Sequence, residues 1–146
     1  MNLYDSLYKW VLRISSPELG PACPYALKSW INKEVILSDD GIPIPDLIPL
    51  SEGISVCIVP RLGIDYDDLG LICDYYNEIF PEYLFLDTHP EEKLRLNGKK
   101  TVWEYPAVII QRKQELLDAR SHLYKIGFYK NWDDDLLQDL GINPDK

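Results

Sequence analysis

Cysteine is scarce in this chain and unpaired: Cys23, Cys57 and Cys73 are odd in number, widely spaced and without a C-x-x-C pair. That pattern excludes a disulfide framework and fits a reducing compartment, so a cytoplasmic protein is expected. Histidine is scarcer still, with only His89 and His122. Without a Cys/His cluster, neither a metal nor a cofactor is expected. No stretch approaches the roughly eighteen apolar residues of a membrane span. The segment Met1-Asn2-Leu3-Tyr4-Asp5 lacks a basic region ahead of an apolar run, so no signal peptide is expected. Basic residues are outnumbered, 15 against 24, for a net charge of -9. Such a balance repels phosphate backbones and anionic membranes, and neither nucleic acid nor membrane is an expected partner.

What is present is the composition of a folded globular chain. With 46% hydrophobic and 27% charged residues over 146 positions, disorder is excluded and one domain, 1–146, is expected, burying roughly two-thirds of its unfolded surface. The stretch from Tyr83 to Arg112 organises the rest. Tyr83-Leu84-Phe85-Leu86 breaks into Asp87-Thr88-His89-Pro90, a lysine-rich loop follows, and the chain returns at Tyr105-Pro106-Ala107-Val108-Ile109-Ile110. Both runs are short, β-branched or aromatic, and bounded by Pro, as buried strands are.

The other elements follow from spacing. Asn2 can cap a helix to about Ser15, whose stripe is Leu3, Leu7, Val11 and Ile14 with Trp10 beside it. A second helix is expected from Pro24 to about Trp30, with Cys23 at its cap position. Glu34–Leu37 reads as a short strand, the proline-rich 42–49 segment as extended loop, and Gly53–Pro60 as the strongest strand. Asp65 or Asp67 opens a helix to about Phe80 that buries Leu69, Ile72, Cys73, Tyr76 and Ile79. Lys113 to Ile126 forms another, with Leu116, Ala119, Leu123 and Ile126 inward. Asp133-Asp134-Asp135 starts a last short helix ending at Gly141. This order predicts an α+β fold: a mixed, mainly antiparallel four-stranded sheet with helices packed on it, in the ferredoxin-like style.

Candidate chemistry concentrates on three residues. A thiol at a helix start, as expected for Cys23, has its thiolate favoured by the free N–H groups of the first turn. His89 leaves a strand end, and Arg112 terminates the next strand. Cys23, His89 and Arg112 together would make a pocket for a small anionic molecule, with thiol-based chemistry. Asp87 can orient the His89 ring from two residues away, and Asp87 and Tyr105 are the expected ligand contacts. The alternative is a non-catalytic acidic module that binds a protein, with Trp103 and Trp132 as contacts. His122, four residues after Asp118, reads as half of a solvated ion pair.

Cys23-Pro24-Tyr25-Ala26 after an N-terminal helix resembles the C-P-F-A motif of a family of small uncharacterised bacterial proteins, a domain of unknown function. Thr88-His89-Pro90-Glu91 is similar to that family's H-P-D motif, and Tyr105-Pro106 precedes Arg112 at the family's Y-P-to-Arg spacing. Asp65-Tyr66-Asp67-Asp68 with Tyr76-Asn77 stands in for its acidic helix start, less compactly. The resemblance covers roughly Trp10 to Arg120. It implies a shared fold and a shared pocket, and no activity. The departures are Lys99-Lys100-Thr101-Val102-Trp103 in place of an Asn/Thr/Arg-rich loop, and Lys113 where the family has Glu.

Overall fold

The structure is a computed structural model, and it describes residues 2–15, 25–93, 96, 99–130, 132 and 134–139. Its helices are α1 (Leu3–Ile14), α2 (Ala26–Ile31), α3 (Tyr66–Ile79), α4 (Lys113–Lys125) and α5 (Asp134–Asp139). Its strands are β1 (Val35–Leu37), β2 (Val56–Pro60), β3 (Tyr83–Thr88) and β4 (Ala107–Arg112). The sheet order is β1-β2-β4-β3. β1 runs parallel to β2, and β4 is antiparallel to both β2 and β3. The fold is therefore α+β with a mixed, mainly antiparallel sheet. Since β4 lies between β2 and β3, the β2-α3-β3 unit is a split β–α–β, compatible with the ferredoxin-like style.

Alternation along the strands separates two apolar layers. Cys57 and Val59 of β2, Phe85 of β3, and Val108 and Ile110 of β4 face α3, where they meet Leu69 and Cys73. Ile58 and Ala107 face the other way, onto Leu7 of α1 and Trp103. Cys57 and Cys73 are both buried and free, as their places on apolar stripes imply. At the outer edge of the sheet, Asn77 of α3 acts as a surrogate peptide. Its Oδ1 accepts from the Phe85 N–H (2.8 Å) and its Nδ2 donates to the Phe85 carbonyl (3.1 Å), occupying groups that an edge strand otherwise leaves open.

Local signals survive folding where they depend on neighbours in sequence. Asn2 Oδ1 accepts from the Asp5 N–H at 2.8 Å, the expected cap of α1. Elsewhere tertiary packing corrects the sequence reading. α2 begins at Ala26 with Tyr25 at its cap, while Cys23 and Pro24 lie outside the described residues. The proline-rich loop contains a 3-10 helix, Ile44–Leu47. Ile79 and Ile126, expected inward, are 45% and 63% exposed, because each stands in the last turn or just beyond it and the sheet no longer lies beneath. The final helix starts at Asp134, and its expected end at Gly141 lies outside the described residues.

Trp103 is not an exposed contact; it is 1% exposed and pins the loop to the core. Its backbone N–H donates to Thr88 Oγ1 and its indole N–H to Ser6 Oγ, both at 2.9 Å. The Trp10 indole donates to the Thr101 carbonyl (2.9 Å) and Arg13 to the Val102 carbonyl (2.6 Å), so α1 is held along the whole 101–103 segment. Replacing Trp103 with Ala removes the ring and the bond from its indole N–H to Ser6, while the backbone bond to Thr88 can remain. Urea unfolding should show a loss of about 3–5 kcal/mol, the cost typical of a buried aromatic.

Candidate functional site

The sheet register places His89 and Arg112 far apart. Tyr83 pairs with Arg112 at one end of the β3–β4 ladder, and Thr88 pairs with Ala107 at the other. Five residue-to-residue steps separate these pairs, about 17 Å at roughly 3.4 Å per step, and His89 follows Thr88. No pocket can hold both side chains. Cys23 lies outside the described residues. The expected Cys23–His89–Arg112 constellation is thus not assembled around its two described members.

Each of those two has a structural occupation. His89 is 5% exposed. Its Nε2 lies 2.9 Å from the Ile64 carbonyl, and its Nδ1 accepts from the Glu91 N–H at 3.1 Å. A carbonyl can only accept and an N–H can only donate, so this is the tautomer with the proton on Nε2. Both ring nitrogens are used in holding the turn after β3 against the loop before α3. The Glu91 carboxylate, 3.9 Å from Nδ1, is too distant for a hydrogen bond. Arg112 donates through Nη2 to the carbonyls of Leu50 (2.9 Å) and Ser51 (3.0 Å), and through Nη1 to that of Ile54. Its planar fork clamps the turn leading into β2, and Glu115 stands 3.6 Å away.

Asp87 and Tyr105, the expected ligand contacts, sit on opposite faces of the sheet. Tyr105 packs with Trp103 (ring centroids 5.3 Å apart) in the layer beneath α1. Asp87 faces α3 over Gly70, where an added Cβ would lie 3.9 Å from Oδ2. The residue remains exposed, yet desolvation of its carboxyl raises its pKa above the ordinary value. Its own backbone N–H lowers it, the Glu92 and Asp74 carboxylates raise it further, and His89 offsets part of this. Burial likewise pushes the Cys57 thiol up to about 11, and pushes Cys73 upward with help from the Asp87 and Asp74 carboxylates. Neither thiol is poised as a nucleophile. Among the described residues, no group of three His, Cys, Asp or Glu side chains could hold a metal ion.

The structure does contain a concave site, on the sheet face opposite α3. A cavity of about 290 Å³ has Val56, Ile58, Leu86 and Ile109 as its floor. Leu7, Val11 and Ile14 of α1 with Ala26 of α2 form one wall. Leu116, Ala119 and Leu123 of α4 form the other, closed by Tyr129 and Trp132. Its surface is overwhelmingly apolar, and Ser29, Thr101, Gln111 and Arg120 supply polar groups around it. Arg120 is the charged side chain among the described lining residues. The cavity was not visible as a motif. Its signals were diffuse: strand positions apolar on both faces, and a small residue, Ala119, on the inner stripe of α4.

Comparisons with protein-family models, with curated proteins and with solved structures find no match.

Two of these contacts predict stability effects. Arg112→Lys keeps the charge but cannot reach three carbonyls with one ammonium. Denaturant titration should show a loss of about 1–2 kcal/mol, the lower part of the range for hydrogen bonds to a charged donor, since the side chain is partly exposed. Asp87→Asn should act in the opposite direction. A carboxyl whose pKa is raised on folding stays protonated longer in the folded state, so wild-type stability falls as pH rises past the unfolded value of about 3.9. The variant should melt above the wild type at pH 7, with the two curves converging below that value.

Proposed function

We propose that this protein binds a small, mainly apolar molecule with one acidic end in the cavity between the sheet, α1–α2 and α4. The supporting observation is the cavity itself: an apolar interior with Arg120 at its boundary. Small-molecule pockets span about 300–1,000 Å³ and combine apolar walls with a few polar groups that fix orientation. At about 290 Å³ this one suits a short acyl chain or a compact aromatic acid. Apolar burial supplies the affinity, and a guanidinium with the Gln111 amide supplies a partner for a carboxylate.

The reading keeps the expected anionic ligand but moves it from Arg112 to Arg120. It is a reading of binding without chemistry, because the imidazole of His89 and the fork of Arg112 are committed to loop carbonyls. The residues that resemble the C-P-F-A family, His89-Pro90 and Tyr105-Pro106 through Arg112, belong in this view to the frame around the pocket. A cytoplasmic setting is part of the same proposal; the structural counterpart is that no described helix is long and apolar enough to cross a membrane.

Decanoate and decanol distinguish the head from the tail. Titrated into methyl-labelled protein and followed by NMR, both should shift the methyl signals of Ile109, Leu116 and Ala119. Those of Val59 and Val108, across the sheet, should stay in place. Ala119→Phe fills the cavity and should abolish the shifts. Arg120→Gln should weaken decanoate about tenfold, as loss of a charge-assisted hydrogen bond would, and leave decanol unchanged. Shifts confined to exposed methyls such as those of Leu71, or no shifts at all, would refute the pocket.

A further inference from the structure

The charge of this chain is concentrated in one segment. Between Leu62 and Glu92 there are nine acidic residues and no lysine or arginine. Nine is the whole net charge, so the remaining 15 acids balance 15 bases elsewhere. α3 is the exposed core of that segment, and its outward face is not simply polar. Leu71 is 65% exposed, Tyr75 59% and Ile79 45%.

These three apolar residues are spaced i, i+4 and i+8, so they form one ridge about 12 Å long. Asp67 heads the same ridge, and Asp74 and Glu78 line the adjacent one. The opposite side of the helix is already used: Leu69 and Cys73 are buried against the sheet, with Ile72 and Tyr76 packed beside them. α3 therefore carries two apolar stripes, one satisfied by the fold and one facing solvent. Tyr75 is braced from below by Tyr76, with ring centroids 5.3 Å apart, and Tyr76 in turn contacts Phe80 and Phe85. An exposed aromatic held on a rigid helix loses little side-chain freedom on binding, as a contact residue should.

We propose that the outer face of α3 docks a basic amphipathic helix of a partner protein. Leucine-type side chains at i and i+4 of the partner would pack along Leu71, Tyr75 and Ile79, in the ridge-into-groove manner of helix pairs. Lysines or arginines beside them would meet Asp67, Asp74 and Glu78. The sign of the charge selects this occupant: an anionic membrane, a nucleic acid or another acidic protein surface is repelled by the same carboxylates. The surface lies across the sheet from the small-molecule cavity and does not depend on it.

The test uses a fluorescein-labelled synthetic helix with leucines at i, i+4 and i+8 flanked by lysines, and a twin with glutamates for the lysines. Fluorescence anisotropy with the intact chain should show saturable, salt-sensitive binding of the lysine peptide and none of its twin. Leu71→Ser/Tyr75→Ser and Asp74→Asn/Glu78→Gln change only exposed positions and should each weaken binding at least tenfold. Glu34→Gln/Asp39→Asn removes as many charges away from α3 and should leave it unchanged. No binding of the lysine peptide, or equal affinity in all four proteins, overturns the proposal. Light scattering that shows a wild-type dimer dissociated by Leu71→Ser/Tyr75→Ser overturns it too, by assigning the face to a second copy of the chain.

Discussion

Burial of β4 on both faces is the constraint on which the rest of the structure depends. Val108 and Ile110 are fully enclosed on the α3 side, and Ala107 on the other. Because β4 also hydrogen-bonds to β2 and β3, every other element is placed relative to it. α3 must cover one face, and α1 with the Trp103 loop the other. Such a strand has no tolerance for a register slip, since a shift of one residue would exchange its two apolar sets between unlike layers. The ladder then fixes what can meet what. It carries Arg112 to one end and His89 to the other, and thereby decides that these residues serve loops at opposite ends of the sheet.

Much of the fold was legible because it follows from local patterning. The α1 stripe, the Asn2 cap, the β3 and β4 runs and the burial of Cys57 and Cys73 all depend on residues near one another in sequence. The site was far less legible. His89 stands out in the sequence by its place at a strand end, but its partner is a carbonyl 25 positions earlier, which no spacing rule reveals. Trp103 looked exposed because lysines precede it; its burial follows from Ser6 and Thr88, which lie far from it in sequence. The cavity is a gap between helices, and its size depends on how α1 and α4 stand above the sheet.

The two faces of the sheet are packed differently. On the α3 side packing is closed, and the polarity lies outside it, in carboxylates that ring an exposed helix. On the other side packing is incomplete, and a few polar side chains line a mainly apolar hollow. Asp87 sits on the first of these faces. Its raised pKa reflects first the desolvation of its carboxyl, to which the Glu92 and Asp74 carboxylates add and which His89 relieves in part. The acidic segment therefore carries an electrostatic cost in the free protein, one that a cationic neighbour would relieve.

The pairing of Asn77 with the Phe85 backbone has a consequence for how the sheet can grow. A side-chain amide mimics both the donor and the acceptor of a neighbouring strand, so the β3 margin is blocked at Phe85, near the middle of the strand. An added strand, from a misfolded copy or an invading peptide, meets that block at β3, and the opposite margin of the sheet is β1. That margin is only Val35–Leu37 long, with Ile36 as its exposed apolar side chain. A template so short offers few hydrogen bonds to a newcomer, and the sheet is thus guarded at one border by mimicry and at the other by brevity.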